Sequence, residues 1–343
     1  MVKASVIGAT GYAGAELMRL LTAHQQVTVT HAVSKSFAGQ KLSDLYPSFF
    51  SYDYVLEELN YDAIVNDSDI VFTCLPHGAS AETAAQLIAK GVKVIDLSGD
   101  FRYNDIAVYE SWYKVKHAKP ELLAESVYGM PELYRDRIKK SRLIGNPGCY
   151  TTCSILAVYP LLKAGVALPN DIIIDAKSGV TGAGRSEKLA NSFCEVDESL
   201  KAYGVATHRH TSEIEQELSI AAGTKVAVSF TPHLLPIKRG ILSTIYLTPM
   251  AGVTEADIAA AYAMYKDEPF VQVTGSKLPE LKHVNGSNNC AIGYVLDKRV
   301  NRLIVVSCLD NLMKGAAGQA VQNMNLVCGF NETEGLNNTG WYL

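Results

Sequence analysis

The sequence predicts an α/β protein: a Rossmann-like parallel-sheet domain followed by an α+β domain. Three observations carry this expectation. Short β-branched runs alternate with helix-compatible stretches through the first half, a glycine-rich turn joins the first run to its helix, and the pattern becomes strand-rich after residues 145–152. At 343 residues the chain also exceeds the usual size of a single core.

Taken in order, ASVIGA (4–9) reads as a strand and GYAGAELMRLLTAH as a turn and helix. VTVTHAVS (27–34) and DIVFTCLP (69–76) are the second and third strands, an Ala-rich helix runs from about Ala79 to Lys90, and VKVIDLS (92–98) is the fourth strand. Near-continuous apolar strands alternating with helices mean a parallel sheet covered on both faces. After GNPGCYTT a helix is expected over about 150–163. Then come the strand-rich segments DIIIDAKSG, TKVAVSFTPHLL, GILSTIYLTP and RLIVVSCLD, which suit an antiparallel or mixed sheet. A last helix is expected over 310–327. The expected division is 1–148 for the first domain and 149–310 for the second, with the C-terminal helix region 311–343 returning to the first.

Composition narrows the function. The chain is 48% hydrophobic and 19% charged, with a net charge of −4 and no basic block. Nucleic acid and anionic membrane partners are therefore not expected. No apolar run approaches the roughly 18–20 residues of a membrane-spanning helix. The opening MVKASVIGATGYAG enters a strand at once, so no signal or transit peptide is expected. Cysteines stand at 74, 149, 153, 194, 290, 308 and 328 with no CxxC pair. That odd, scattered set suits reduced thiols in a cytoplasmic enzyme.

GATGYAG places Gly8, Gly11 and Gly14 between the first strand and its helix. Gly8 permits the bend, Gly11 lets a phosphate approach backbone, and Gly14 allows close helix packing, with the helix N-terminus facing a pyrophosphate. The spacing is GxxGxxG and not GxGxxG. Thr10 and Tyr12 of the same turn are assigned to the cofactor with the glycines. Where the second strand ends, HAVSKSFAGQ has no Asp or Glu to take a ribose 2′-hydroxyl. Ser34, Lys35 and Ser36 offer hydroxyls and a positive charge, which suits the 2′-phosphate of NADP over NAD.

Cys149 follows Pro147-Gly148 at the start of a helix-compatible run. There the helix dipole and N–H groups favour thiolate and could cradle an oxyanion. Cys153, one turn on, reads as packing. HRHTSEIEQ (208–216) sets His208 and His210 about Arg209, ahead of an acidic helix start, and His is the side chain suited to moving protons near neutrality. HxH has no partner ligands at a recognisable spacing, so no metal is expected.

In this order, GATGYAGAEL, DLSGDFR, GNPGCYTT, HRHTSEIEQ, FTPHLLPIKRGILSTIY and DNLMKGAAGQAVQN resemble the N-acetyl-γ-glutamyl-phosphate reductase family, from Val6 to about Asn325. The wider class includes aspartate-semialdehyde dehydrogenase and, more distantly, the glyceraldehyde-phosphate dehydrogenase fold. The resemblance implies a catalytic and dimerisation domain of semialdehyde dehydrogenase type and NADPH as reductant. It implies an acyl phosphate substrate that forms a thioester on Cys149, and a homo-oligomer, dimer or tetramer. The implied acid–base group is one of the two histidines, His210 before His208. Arg102 and Asn146 are assigned to substrate, with Arg209 and Arg239 ranked lower, and Ser178, Gly179 and Asn311 to cofactor. A related acyl-phosphate reductase, acting on aspartyl or carrier-linked aminoadipyl phosphate, is the alternative. A non-catalytic NADP sensor is the alternative from another class. One departure stands out: the family usually has proline where this chain has Thr151.

Overall fold

The computed structural model describes residues 1–337 and 339–342. They form two compact units, Met1–Pro147 with Ala316–Asn337, and Gly148–Gly315 with 339–342.

The first unit contains β1 (Val2–Ile7), α1 (Tyr12–Ala23), β2 (Val27–Val33), α2 (Leu42–Leu45), α3 (Tyr61–Asp67), β3 (Ile70–Thr73), α4 (Ser80–Ala89), β4 (Lys93–Asp96), α5 (Ile106–Tyr113), β5 (Val127–Tyr128), α6 (Pro131–Ile138) and β6 (Leu143–Gly145). The strands pair in the order β2-β1-β3-β4-β6-β5, and every pair is parallel. All four residues of β3 are buried, as a central strand covered on both faces requires. Ile7, Val71, Val94 and Leu87 meet in the core beneath.

The sheet has six strands where four were expected. β5 and β6 are two and three residues long, too short to show any periodicity. The first strand runs Val2–Ile7 and not 4–9, because Gly8 takes φ +91° and ends it. The fourth ends at Asp96, whose carboxylate accepts the N–H groups of Ser98 and Gly99 and turns the chain there.

The second unit contains α7 (Cys149–Lys163), β7 (Ile172–Gly179), α8 (Phe193–Val196), β8 (Lys201–Ala202), α9 (His210–Ala222), β9 (Val228–Leu235), β10 (Ile241–Leu247), α10 (Glu255–Tyr262), β11 (Val271–Gly275), β12 (Cys290–Asp297) and β13 (Arg302–Leu309). Its strands lie in the order β11-β12-β13-β10-β7-β9-β8, with β11/β12 and β7/β9 parallel and the other neighbours antiparallel. The sheet is therefore mixed. β10 alternates buried Ile241, Ser243, Ile245 and Leu247 with half-buried residues, and α7 packs on β10 and β13 and beside α9. β8, β11 and β12 were not anticipated. β8 has two residues, and glycines at 275 and 293 interrupt the apolar pattern of the other two.

The expected helix over 310–327 is a π-turn at Met313–Ala317 followed by α11 (Gly318–Cys328), which packs with α1 and α6 of the first unit. α11 is buried on nearly every side although it carries Gln319, Gln322, Asn323 and Asn325. Such buried amides need partners. Gln319 and Asn323 both donate to the Gly129 carbonyl (2.6 and 2.9 Å), Gln322 donates to Glu332, and Asn325 Oδ1 pairs with His24 Nε2.

Candidate active site

In the first unit the glycine turn has the geometry its spacing suggests. A Cβ on Gly8 would strike the Cys74 carbonyl, and one on Gly14 would strike the Gly8 carbonyl. Both are therefore demanded by internal packing. At Gly11 the nearest atom to a Cβ would be the Gly8 oxygen at 3.8 Å, so no contact among the described residues requires glycine there. Gly11 is the N-cap of α1 and has no side chain to offer the first-turn N–H groups. That end suits an anion. Thr10 Oγ1 and Ser34 Oγ stand 2.9 Å apart, which joins the turn to the end of β2, and the Tyr46 hydroxyl donates to the Thr10 carbonyl. Tyr12 is half-buried and Lys35 is exposed beside them. This set fits a dinucleotide with a 2′-phosphate. The turn admits pyrophosphate against backbone, and the second-strand end offers a hydroxyl and an ammonium.

Arg102 and Asn146 meet in the same unit. Arg102 is buried, and its guanidinium donates to the Asn146 carbonyl at 2.6 Å and the Leu97 carbonyl at 2.9 Å. Asn146 is fully buried. Its Nδ2 donates to the Ala316 carbonyl and its Oδ1 accepts from Asn323, so its side chain ties the end of β6 to the segment around α11. In this structure both residues hold backbone in place.

In the second unit Cys149 is the first residue of α7, with Gly148 as an extended N-cap (φ −72°, ψ 156°). Its side chain is half-buried. Thr151 and Thr152 hydroxyls reach back to the Gly148 carbonyl (2.6 and 3.0 Å). Below lies Glu213, with no exposed surface, accepting the Gly148 N–H at 3.0 Å and approached by the Thr151 hydroxyl at 2.9 Å. Where the family usually has proline, this chain thus has a hydroxyl that joins α7 to α9. Cys153 is buried against Ser307, and burial pushes its thiol up to about 11, as suits a packing cysteine.

The two histidines differ in setting. The imidazole of His210 lies directly on the Cα of Gly148. A Cβ there would meet Nε2, Cε1 and Cδ2 at 2.5, 2.7 and 2.9 Å, one residue before the thiol. His208 instead accepts the His210 backbone N–H on Nδ1 at 3.2 Å, capping the start of α9. Burial, with Arg209 adding to it, holds the His208 imidazole down to about 4, so it is neutral at physiological pH. The rings of Tyr150, Tyr203 and Phe230 surround His208, their centroids 5.5–5.7 Å from that of the imidazole. The Tyr203 hydroxyl donates to that of Tyr150, which donates to the His233 carbonyl. Burial raises the Tyr203 phenol to about 12, and Cys149 adds to the rise, so this chain of hydroxyls lies within electrostatic reach of the thiol. Arg209 is exposed.

Ser178, Gly179 and Asn311 converge in this unit. Gly179 N–H donates to the Gly240 carbonyl, Gly240 N–H donates to Asn311 Oδ1 at 2.8 Å, and Asn311 Nδ2 donates to Thr181 at 2.9 Å. Ser178 is buried at the end of β7, and its hydroxyl donates to the Gly179 carbonyl. Asp310, before Asn311, caps the following turn by accepting the N–H groups of Leu312 and Met313. Sequence reasoning passed over Glu213, although it stands one helical turn after His210. Gly315 was missed for a different reason: its Cα lies against Cys149, where a Cβ would be 2.8 Å from the cysteine Cβ, and no motif announces such a contact. Among the described residues no helix is long and apolar enough to cross a membrane, and no cluster of His, Cys, Asp or Glu could hold a metal.

Two family models match the chain: the semialdehyde dehydrogenase NAD binding domain over residues 3–141 and the semialdehyde dehydrogenase dimerisation domain over 149–311. The N-acetyl-gamma-glutamyl-phosphate reductase of Acetivibrio thermocellus is 51% identical over the full length of both chains. That of Citrifermentans bemidjiense is 52% identical over 98% of each. Among solved structures, aspartate semialdehyde dehydrogenase with NADP from Candida albicans superposes with a TM-score of 0.69 at 16% identity, covering 96% of this chain and 98% of that one.

Proposed function

The chain belongs to the semialdehyde dehydrogenase family and, within it, to the N-acetyl-γ-glutamyl-phosphate reductases, and from that premise we propose a reaction and assign its groups. The reaction is the NADPH-dependent conversion of N-acetyl-L-glutamyl 5-phosphate to N-acetyl-L-glutamate 5-semialdehyde, a step of arginine biosynthesis. The observation that carries the assignment is the His210 imidazole seated on Gly148, beside Cys149 at the first turn of α7.

Cys149 thiolate attacks the acyl carbon, the bond to phosphate breaks, and phosphate leaves with the electron pair, forming a thioester. NADPH supplies the hydride when bound, and Gly8, Thr10, Gly11, Tyr12, Gly14, Ser34 and Lys35 would hold it; Ser178, Gly179 and Asn311 keep their assignment to cofactor. The N–H groups at the start of α7 stabilise charge on the tetrahedral oxygen. His210 protonates that oxygen and takes the proton back as the carbon–sulfur bond breaks, which releases the aldehyde and restores the thiolate. His208 is neutral and bonded to the α9 backbone, so its part is to hold that helix start. Arg102 remains the candidate for the substrate phosphate and Arg209 for another substrate group. Asn146 serves by holding the Arg102 loop. The protein acts in the cytoplasm as a homo-oligomer, a dimer or tetramer, which light scattering on the purified protein decides.

The test runs the reaction in reverse: phosphate-dependent reduction of NADP with N-acetylglutamate semialdehyde beside aspartate semialdehyde. The expected result is turnover with the acetylated substrate alone. Preference for aspartate semialdehyde would overturn the substrate assignment.

A further inference from the structure

One chain of contacts in the second unit runs from an exposed indole to the reacting thiol. Trp341 lies across Gly286 so closely that a Cβ there would strike the indole, and its backbone N–H donates to the Asn285 carbonyl at 2.7 Å. The Arg239 guanidinium stands 5.5 Å from the indole centroid. Arg239 also pairs with Asp310 at 3.3 Å, and the same carboxylate oxygen accepts the Gly286 N–H at 2.8 Å. Asp310 has no exposed surface, so these partners compensate a buried charge. The other oxygen of Asp310 caps Leu312 and Met313, and its carbonyl accepts the Gly315 N–H at 3.0 Å. Gly315 then rests on Cys149.

We infer that Trp341 is a positioning residue for Cys149, acting through the Arg239–Asp310 pair and the turn that Asp310 begins. The indole shields the ion pair from water on one side, and exclusion of water strengthens a charged pair. Neighbouring contacts hold the segment in place: Gly340 packs on the His283 carbonyl, and Tyr342 stacks on His283 with ring centroids 6.3 Å apart. With the pair fixed, the 310–315 turn has one conformation, and Gly315 confines the Cys149 side chain from behind. With the pair loosened, the turn withdraws and the thiol leaves the N–H groups at the start of α7 that favour thiolate. The inference rests on Cys149 being the reacting thiol.

The test needs no substrate, so it stands apart from the reaction assignment. Full-length protein and the variants Trp341→Ala, Trp341→Leu and Trp341→Phe are treated with iodoacetamide, and alkylation is followed cysteine by cysteine by peptide mass spectrometry. Cys194 is exposed and serves as the internal reference. In Trp341→Ala, alkylation of Cys149 is expected to slow by roughly threefold or more, the scale of coupling through packed networks, while Cys194 is unchanged. Trp341→Phe keeps a ring over Arg239 and stays near the unaltered rate. Trp341→Leu keeps apolar cover alone and falls between. A Cys149 rate in Trp341→Ala that is unchanged or faster would overturn the inference, and so would a different rank order. It would also fail if buried Cys153 and Cys290 became reactive, because the indole would then be supporting the whole unit.

Discussion

Gly148→Ala tests the placement of His210 without replacing either side chain proposed to be catalytic. The added Cβ would stand 2.5 Å from Nε2 and 2.7 Å from Cε1 of the imidazole. Nonbonded atoms settle near 3.5 Å, so the ring must withdraw by about 1 Å. His210 is half-buried and heads α9, so it has room to give, and the fold should survive with overpacking of about 1–3 kcal/mol at most. Catalysis is less tolerant, since a displacement of about 1 Å in a reacting group costs on the order of a hundredfold. We therefore expect kcat to fall roughly a hundredfold with the KM for NADPH unchanged, and Cys149 to remain alkylable by iodoacetamide. Steady-state kinetics at saturating acyl phosphate, beside the alkylation rate, decide the matter. A kcat within about threefold of the unaltered protein would mean that a 1 Å retreat of His210 is harmless, and the acid–base assignment would fall with it.

His210→Asn should lower kcat by about a hundredfold to ten-thousandfold, the usual worth of acid–base help, while His208→Asn costs much less; the reverse order in the same assay would exchange their roles. Because the folded His208 sits near 4, below the ordinary histidine value of 6.5, the unfolded chain takes up its proton first on acidification. Its contribution to stability is thus complete above about pH 6.5 and is lost as pH falls towards about 4; thermal midpoints across that window should decline less steeply in His208→Gln, and parallel curves would contradict this. Replacing Ser34 and Lys35 by alanine should erode a preference for NADPH over NADH through loss of the 2′-phosphate donors, and equal kcat/KM for both cofactors in the unaltered protein would refute that reading.

The first unit was legible where strands are long and apolar. β3 is buried at every position, and the run IVFT says so directly. β5 and β6 escaped because two or three residues carry no period. In the second unit, partners distant in sequence define the sheet, so β11 and β12 become strands only by pairing with each other and with β13. Site residues followed the same division. Gly14 answers to the Gly8 carbonyl, and GATGYAG contains both halves of that contact, whereas the carbonyl that crowds Gly8 belongs to Cys74, outside the motif. The difference between His208 and His210 could not be read, since it depends on which of them meets Gly148, sixty residues away in sequence. Gly315 is a clearer instance. Its need for glycine comes from Cys149, and GAAGQ gives no hint of that neighbour. For Thr151 the sequence marked the departure from proline, and only the fold supplies Glu213 as its partner.

Turnover by the proposed route requires a covalent bond between substrate and Cys149. Purified protein is mixed with N-acetylglutamyl phosphate in the absence of NADPH, quenched in acid, digested and examined by mass spectrometry, with released phosphate measured alongside. The expected result is an N-acetylglutamyl thioester on the peptide that contains Cys149, one phosphate released per acylated site, and neither signal in Cys149→Ser. A turning-over enzyme that shows no acylated Cys149, or a Cys149→Ser variant that still reduces the acyl phosphate at an appreciable rate, would contradict it.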